Sequence, residues 1–279
     1  MYSSRRLLPV VIGFAFVIGT LSTVMVAAGC NQQAASTSTG MAVSFDGSSA
    51  YVSIPVVTQA TENVTLESWV KIPEGAKGCF LKIGDENTGY GIGVGASHKE
   101  FDNSTAGNAL MGLYENSAWL YPTGDPTLST GAWHHIAFVI GPAGSPPTFY
   151  VDGAPYVATA TAAPHAPANG AVIGKDLGGD RATNATLAKV AIYNSALSAD
   201  RIKAHATATS DAAYDDAVLA DKPVAYYELD EENGPSAVDN SGNSNTGTYN
   251  GGVKFVQPGP FASSQQPAST ATAQPPTPQ

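Results

Sequence analysis

The sequence is poor in charge, and most of the charge that it has is negative. Asp, Glu, Lys and Arg make up 13% of its 279 residues, and 13 Lys and Arg stand against 23 Asp and Glu, for a formal net charge of −10. An acidic surface argues against binding nucleic acid through charge, so no nucleic-acid partner is predicted. The 29 Gly and 19 Pro suit short strands joined by turns better than long helices. An apolar content of 43% is enough for one sizeable core.

The N-terminus reads as an export signal. Arg5 and Arg6 precede an apolar run over residues 7–28, which ends in Ala-Ala-Gly before Cys30. This junction resembles a bacterial lipobox and predicts a lipoprotein signal peptide over residues 1–29, with Cys30 lipidated after cleavage. An uncleaved membrane anchor is the alternative, because about 20 apolar residues can span a bilayer. Either way the protein is expected to be membrane-anchored in the bacterial cell envelope, at the outer membrane or cell surface.

Only one cysteine remains once Cys30 is modified. Cys79 alone makes no internal disulfide, so stability must come from the core. Residues 30–41 are a polar linker with little to bury, and residues 262–279 are rich in Pro, Ser, Thr and Gln and are predicted to be a disordered tail.

Turn signals recur at short intervals between apolar runs, which is typical of an antiparallel sandwich. The clearest is Asp152-Gly153, a hairpin signal between alternating residues. Ser198 is placed to cap one short helix and Ser210 to cap another over residues 211–219.

Several ordered motifs carry a family resemblance. They are AVSFDGSSAYV from Ala42, TLESWV from Thr65, GAWHHIAFVIG from Gly131 and KVAIYNSALSADRI from Lys189. Together they resemble the LamG-like, concanavalin A-type lectin/glucanase domains. The resemblance implies an all-β fold: an antiparallel two-sheet jelly-roll sandwich with one or two short helices.

The C-terminal block stands out of order. In the resembled family, VLADKPVAYYELDE and the residues after it normally come before the AVSFDGSSAYV stretch, whereas here they follow it. A circular permutation would make residues 42–261 one domain. A truncated second repeat is the alternative, but it would expose unpaired strand edges.

The resemblance implies a non-catalytic module that binds a glycan or a surface protein. The best ligand-contact segment covers residues 110–122, where aromatic rings and an amide could meet a sugar. Tyr114, Asn116, Trp119 and Tyr121 are the candidate ligand-binding residues. The competing interpretation places these rings in the core, as is also expected for Trp69 and Trp133.

Two other functions, a glycoside hydrolase and a structural component, are alternatives. Glu228, Asp230 and Glu232 would share one face of a strand, and paired carboxylates about 5–5.5 Å apart serve retaining glycosidases. Glu231 and the following Asn-Gly-Pro count against this glycoside hydrolase interpretation, because they indicate a turn. The third function is that of a structural component of a surface assembly.

No cofactor is predicted, although calcium is left open because jelly-roll lectins often carry it. Asp85, Glu86 and Asn87 cluster in one loop, whereas Asp46 and Asp152 are more simply turn formers. The histidines lack metal-ligand spacing, and no Ser-His-Asp arrangement with a recognisable nucleophile elbow is visible. No catalytic residue is therefore assigned.

Overall fold

The computed structural model describes residues 40–262 except 86, 96–108, 115–118, 125, 162–163 and 179–180, and only the backbone of 113, 114 and 119. Cys30 and the predicted signal peptide, linker and tail therefore lie outside the described residues, apart from the ends of linker and tail. Among the described residues, no helix combines the length and apolar character needed to cross a bilayer.

Short strands dominate this part of the chain. In chain order, the described elements are β1 (Met41–Ser44), β2 (Tyr51–Ile54), β3 (Val64–Lys71), β4 (Gly78–Ile83), β5 (Tyr90–Gly95), β6 (Ala109–Tyr114), β7 (Trp119–Leu120), β8 (Trp133–Ile140), β9 (Thr148–Val151), β10 (Ala154–Val157), β11 (Ala171–Ile173), β12 (Thr186–Tyr193), α1 (Ala199–Ala206), α2 (Asp211–Ala220), β13 (Ala225–Tyr227), β14 (Ser236–Ala237), β15 (Gly247–Asn250) and β16 (Lys254–Pro258).

The strands form two antiparallel sheets. Sheet A has the order β10-β9-β8-β3-β12-β1-β16, with β13 also paired to β12. Sheet B has the order β14-β15-β2-β11-β4-β5-β6-β7. The predicted all-β, two-sheet jelly-roll sandwich with two short helices is confirmed.

The main core lies between the sheets and follows from the two-residue period of the strands. In β3, Val64, Leu66 and Val70 are fully buried and belong to this core. Each such side chain contributes about 1.5–3 kcal/mol by leaving water. Glu67 and Trp69, at the alternate positions, face the outer side of sheet A, where the helices pack.

The C-terminal block contributes strands to both sheets. In sheet B, β15 pairs with β2 and places Tyr249 opposite Val52. In sheet A, β16 pairs with β1 and β13 pairs with β12. Tyr227, Leu229 and Tyr249 join the main core. The late strands therefore share their sheets and their core with the early ones, as the permutation hypothesis requires.

The two helices cover part of the outer face of sheet A. As predicted, Ser198 caps α1 by accepting from the N–H of Arg201, and Ser210 caps α2 by accepting from that of Ala213. A second, smaller apolar cluster lies between helices and sheet. Its buried members include Ile202, Tyr214 and Val218 from the helices and Val139, Tyr193 and Tyr226 from the strands.

The Asp152-Gly153 hairpin is also confirmed. It joins β9 to β10, and both residues have positive φ, 51° for Asp152 and 80° for Gly153. Two positive φ values are those of a type I′ turn, whose twist matches the flanking strands. The turn brings Asp152 back against the start of β8, where its N–H donates to the carbonyl of His135 at 2.8 Å.

Candidate functional site

A cleft of about 610 Å³ opens on the outer face of sheet A, beside the C-terminal end of α1. Strand residues form its floor, and the segments after α1 and β16 form its walls. Its lining residues are Trp69, Gly131, Ala132, Trp133, Asp152, Ala206, Thr207, Ala208, Thr209, Pro260 and Phe261.

Strand register explains why the two tryptophans meet here. Trp69 in β3 lies opposite His135 in β8, and Trp133 precedes His135 by two residues, so all three share the outer face. Phe261, after β16, packs on Trp69 with ring centroids 5.4 Å apart and planes at 74°. The three cleft aromatics, Trp69, Trp133 and Phe261, are all partly exposed. The expectation that Trp69 and Trp133 are core residues is therefore wrong: they lie outside the main core, on the outer face of sheet A.

A largely buried charge network lies on this outer face, between sheet A and the helices. The Glu67 carboxylate accepts from the Tyr193 hydroxyl at 2.5 Å and lies 3.0 Å from His205 Nδ1 and 3.4 Å from His135 Nε2. On its other side, His205 Nε2 is 3.1 Å from Asp221 Oδ2. The network therefore links β3, β8 and β12 to α1 and to the end of α2.

The histidines keep Glu67 ionised inside the protein. Burial raises the pKa of a carboxyl, but hydrogen bonds and charge from His135 and His205 outweigh it and lower the pKa of Glu67 to about 2. Burial likewise opposes protonation of His205, yet Glu67 and Asp221 raise its pKa above the ordinary value. The Glu67–His205 pair thus fixes α1, whose C-terminal end forms one cleft wall.

A second charge cluster surrounds Lys189. Its Nζ lies 3.0 Å from Asp211, 2.8 Å from Asp215 and 3.0 Å from Glu228, measured to a carboxylate oxygen each time. Lys189 has a φ of 57° within a bulge of β12, which turns its side chain toward α2. Asp215 also accepts from the hydroxyl of Tyr226.

The three carboxylates have the spacing of a metal-ligand set, with oxygens all within 4.8 Å of one another. The Lys189 ammonium lies within salt-bridge distance of all three and supplies the positive charge there. Burial raises the pKa of Glu228 to about 7 despite the opposing effect of Lys189, and burial also raises that of Asp211. The carboxylates raise the pKa of Lys189 against the effect of its burial.

The carboxylate alignment required by the glycosidase hypothesis is not present. Strand β13 ends at Tyr227, and Leu229 has a φ of 58°, so the two-residue alternation does not continue from Glu228 to Glu232. Glu228 binds Lys189 and the Asn240 amide. Glu232 is exposed, beyond the end of the strand.

The predicted ligand-contact segment over residues 110–122, a hairpin of β6 and β7, is only partly described. Tyr114 and Trp119 lie in β6 and β7, where Tyr114 pairs with Tyr90 and Trp119 with Leu113. Their side chains and all of Asn116 lie outside the described part. Tyr121 is half-buried, and burial raises its pKa. These four residues stay a prediction.

The acidic residues considered for calcium are held by their own turns. Asp46 accepts from the N–H groups of Ser48, Ser49 and Ala50. Asp85 accepts from Asn87, Thr88 and Asn169. Glu86 lies outside the described residues. Asp46 and Asp152 are thus the turn formers that the sequence predicts.

Comparison with known proteins identifies one family. A family model described as the concanavalin A-like lectin/glucanases superfamily matches residues 46–203. Among curated proteins, none matches the sequence significantly.

One solved structure with a TM-score above 0.5 has the same fold. A Bacteroides ovatus protein to which carbohydrate binding is ascribed has a TM-score of 0.56 at 18% identity, over 78% of this chain and 60% of that one. The chain therefore spans less than two thirds of that protein. The heptameric SAP-like pentraxin of Limulus polyphemus has a TM-score of 0.47 at 16% identity, over 61% of this chain and 82% of that one. Domain 4 of the Geobacillus stearothermophilus GH43 arabinanase AbnA, in complex with arabinotriose, has a TM-score of 0.44 at 20% identity, over 58% of this chain and 74% of that one.

Proposed function

We propose, on the premise that this chain belongs to the concanavalin A-like lectin/glucanases superfamily, that it is a glycan-binding module which does not cleave glycosidic bonds. The family model covers more than half of the chain. The observation that carries the proposal is the cleft on sheet A, where three partly exposed aromatic rings surround one opening.

The composition of the cleft suits a sugar ring. Aromatic faces pack on the apolar C–H faces of a sugar, while a few polar groups fix its orientation through hydroxyls. Trp133 and Phe261 supply aromatic surface, and the exposed Thr207, Thr209 and Asp152 supply hydrogen-bonding groups at the margin. The acidic surface makes a neutral or cationic glycan a better ligand than a polyanionic one.

A second candidate surface is the hairpin of Tyr114, Asn116, Trp119 and Tyr121, and mutation separates the two. The full-length protein in detergent is applied to a glycan array, and the affinity for any glycan bound is then measured by calorimetry. Trp133→Ala is expected to weaken binding about 30-fold, from the roughly 2 kcal/mol that a central aromatic contact contributes. Trp119→Ala is the matched control in the hairpin.

The result assigns the site. Loss of binding in Trp133→Ala alone supports the cleft, and loss in Trp119→Ala alone moves the site to the hairpin. No binding to any glycan, with the protein folded, would refute the sugar-binding function. A co-purifying protein partner would then favour the role in a surface assembly.

The proposed address is the bacterial cell envelope, through acyl chains on Cys30. Two or more chains together hold a protein stably on a bilayer. Cells fed a labelled fatty acid should incorporate it into the wild-type protein and not into the Cys30→Ser variant. Label retained in Cys30→Ser would refute lipidation at this residue.

A further inference from the structure

Three polar side chains near the start of β8 form a hydrogen-bonded chain. Ser129 Oγ lies 2.8 Å from His134 Nε2, and His134 Nδ1 lies 2.8 Å from Asp152 Oδ2. Ser129 precedes β8, His134 is its second residue, and Asp152 lies in the β9–β10 turn. A serine, a histidine and an aspartate linked in this order have the connectivity of the nucleophilic triads of hydrolases.

The hydrogen bonds define the tautomer of His134. The backbone N–H of Ser129 donates to Nε2 at 3.1 Å, so Nε2 is an acceptor without a proton. The remaining ring proton is then on Nδ1, where it donates to the Asp152 carboxylate. This is the tautomer that a general base needs, because Nε2, which lies beside the serine hydroxyl, carries no proton. To take the hydroxyl proton, its one electron pair must release the backbone N–H of Ser129.

Asp152 is held in place from two sides. Its Oδ1 accepts from the N–H of His135 at 2.9 Å, and its own N–H donates to the His135 carbonyl at 2.8 Å. The His134 side chain is only 14% exposed, so its ring is held by packing as well. The base and its orienting carboxylate are therefore pre-organised, while Ser129 is open to solvent.

The chain also adjoins the cleft. Asp152 is itself a lining residue, together with Gly131, Ala132 and Trp133, which follow Ser129 closely in sequence. Ser129 and His134 are not among the lining residues, and His134 lies on the face of β8 opposite Trp133 and His135, so these three side chains meet the cleft through Asp152.

We propose that Ser129, His134 and Asp152 hydrolyse small acyl esters, with Ser129 as nucleophile, His134 as general base and Asp152 as its orienting carboxylate. The substrate class is an O-acylated glycan, a part of the inference that rests on the proposed function. Hydrolysis of a small aryl ester depends only on the three side chains.

The reaction balances without any added oxidant or metal. Ser129 Oγ bonds to the ester carbonyl carbon while its proton passes to His134 Nε2. The bond from that carbon to the alcohol oxygen then breaks, and the departing oxygen takes the proton from Nε2. Water repeats both steps on the acyl-serine, which releases the carboxylic acid and restores Ser129.

The first experiment uses the full-length protein in detergent with two probes, p-nitrophenyl acetate and a fluorophosphonate that labels activated serines. We expect release of nitrophenol and one label on Ser129, located by mass spectrometry. Ser129→Ala should abolish the label, and both Ser129→Ala and His134→Gln should reduce hydrolysis about 100-fold or more, as for loss of general base catalysis. Thr130→Ala and His165→Gln are matched controls that should keep the wild-type rate.

Thermal unfolding of each variant verifies that it is folded. No label on the folded wild-type protein, a label on another residue, or hydrolysis unchanged in Ser129→Ala would overturn the proposal. Acetate release from an O-acetylated oligosaccharide bound on the array would confirm the glycan substrate. Hydrolysis of the aryl ester without any such release would overturn that part alone.

Glycan binding and ester hydrolysis can be tested independently of each other. Ser129→Ala should bind the glycan with wild-type affinity, whereas Trp133→Ala should lose affinity and still hydrolyse p-nitrophenyl acetate. Labelling of Ser129 without binding to any glycan would refute the binding function and leave the esterase activity standing.

Discussion

Replacing Lys189 with Met tests whether one buried cation holds the helical cover of sheet A to the strands. Methionine keeps a similar length of apolar side chain but removes the charge that lies within 3.0 Å of Asp211, Asp215 and Glu228. These carboxylates are only 12–15% exposed, so water screens them weakly. Removing one partner of a buried ionic group costs about 3–5 kcal/mol, and at neutral pH we expect a loss of that size. For a domain of this length the melting temperature should fall by about 10 °C.

The loss should depend on pH. Because burial raises the pKa of Glu228 from 4.5 to about 7, this carboxyl binds its proton more tightly in the folded protein. Its contribution is therefore full below about pH 4.5 and declines as the pH rises through about 7. Lys189 opposes this shift, so Lys189→Met should raise the pKa further. The variant should be closest to wild type near pH 5 and furthest from it near pH 8.

Urea unfolding, followed by tryptophan fluorescence at pH 5 and pH 8, measures both effects. Lys254→Met, at an exposed position of β16, is the control for loss of one positive charge and should change stability by less than about 0.5 kcal/mol. A Lys189→Met protein as stable as wild type at pH 8, or equally destabilised at both pH values, would show that the carboxylates do not depend on this lysine.

Two further predictions concern the charge network and the C-terminal block. The pKa of Glu67, about 2, lies below its ordinary 4.5, so its stabilisation is complete above about pH 4.5 and is lost as the pH falls toward 2. The raised pKa of His205 gives a stabilisation that is full below about pH 6.5 and is lost as the pH rises. The loss of stability in Glu67→Gln, measured by thermal unfolding from pH 3 to 8, should therefore be largest between about pH 4.5 and 6.5. A loss that is the same at every pH would contradict this. A chain ending at residue 213 should lack a cooperative unfolding transition in urea, because it loses five large buried side chains, each of which stabilises the fold by about 1.5–3 kcal/mol. They are Tyr214, Tyr226, Tyr227, Leu229 and Tyr249. A cooperative transition would show that these residues are dispensable.

Local rules made part of the fold predictable. Ser198, Ser210 and the Asp152-Gly153 turn act through neighbours within a few residues, and all three were predicted correctly. The glycosidase alignment was wrong because tertiary structure places Leu229 at positive φ, a conformation rarely adopted by a non-glycine residue. The local signal that the strand ends is Glu231 and the following Asn-Gly-Pro, which indicate a turn just beyond Leu229.

The cleft and the triad depend on strand pairing that a linear pattern does not show. Trp69, Trp133 and Phe261 come together only through the β3–β8 register and the return of the chain after β16. The triad lacks a nucleophile elbow, so a motif search passes over it. The sequence signal that could have revealed the triad is the Asp152-Gly153 turn. This turn follows β9, which runs antiparallel to β8, so the end of β9 brings Asp152 back to the start of β8, near His134.

The outer face of sheet A explains why the buried charges and the cleft occur together. An antiparallel sheet can leave one face in water, but here α1 and α2 cover part of that face and bury Glu67 and Lys189. Buried ionic groups are weak sources of net stability, yet their directional contacts fix the position of what they bind. The helices are therefore held at defined places, and the cover ends at residues 206–209, where Trp69 and Trp133 become accessible. Loosening either charge cluster should then weaken ligand binding in the cleft even where the aromatic residues are intact.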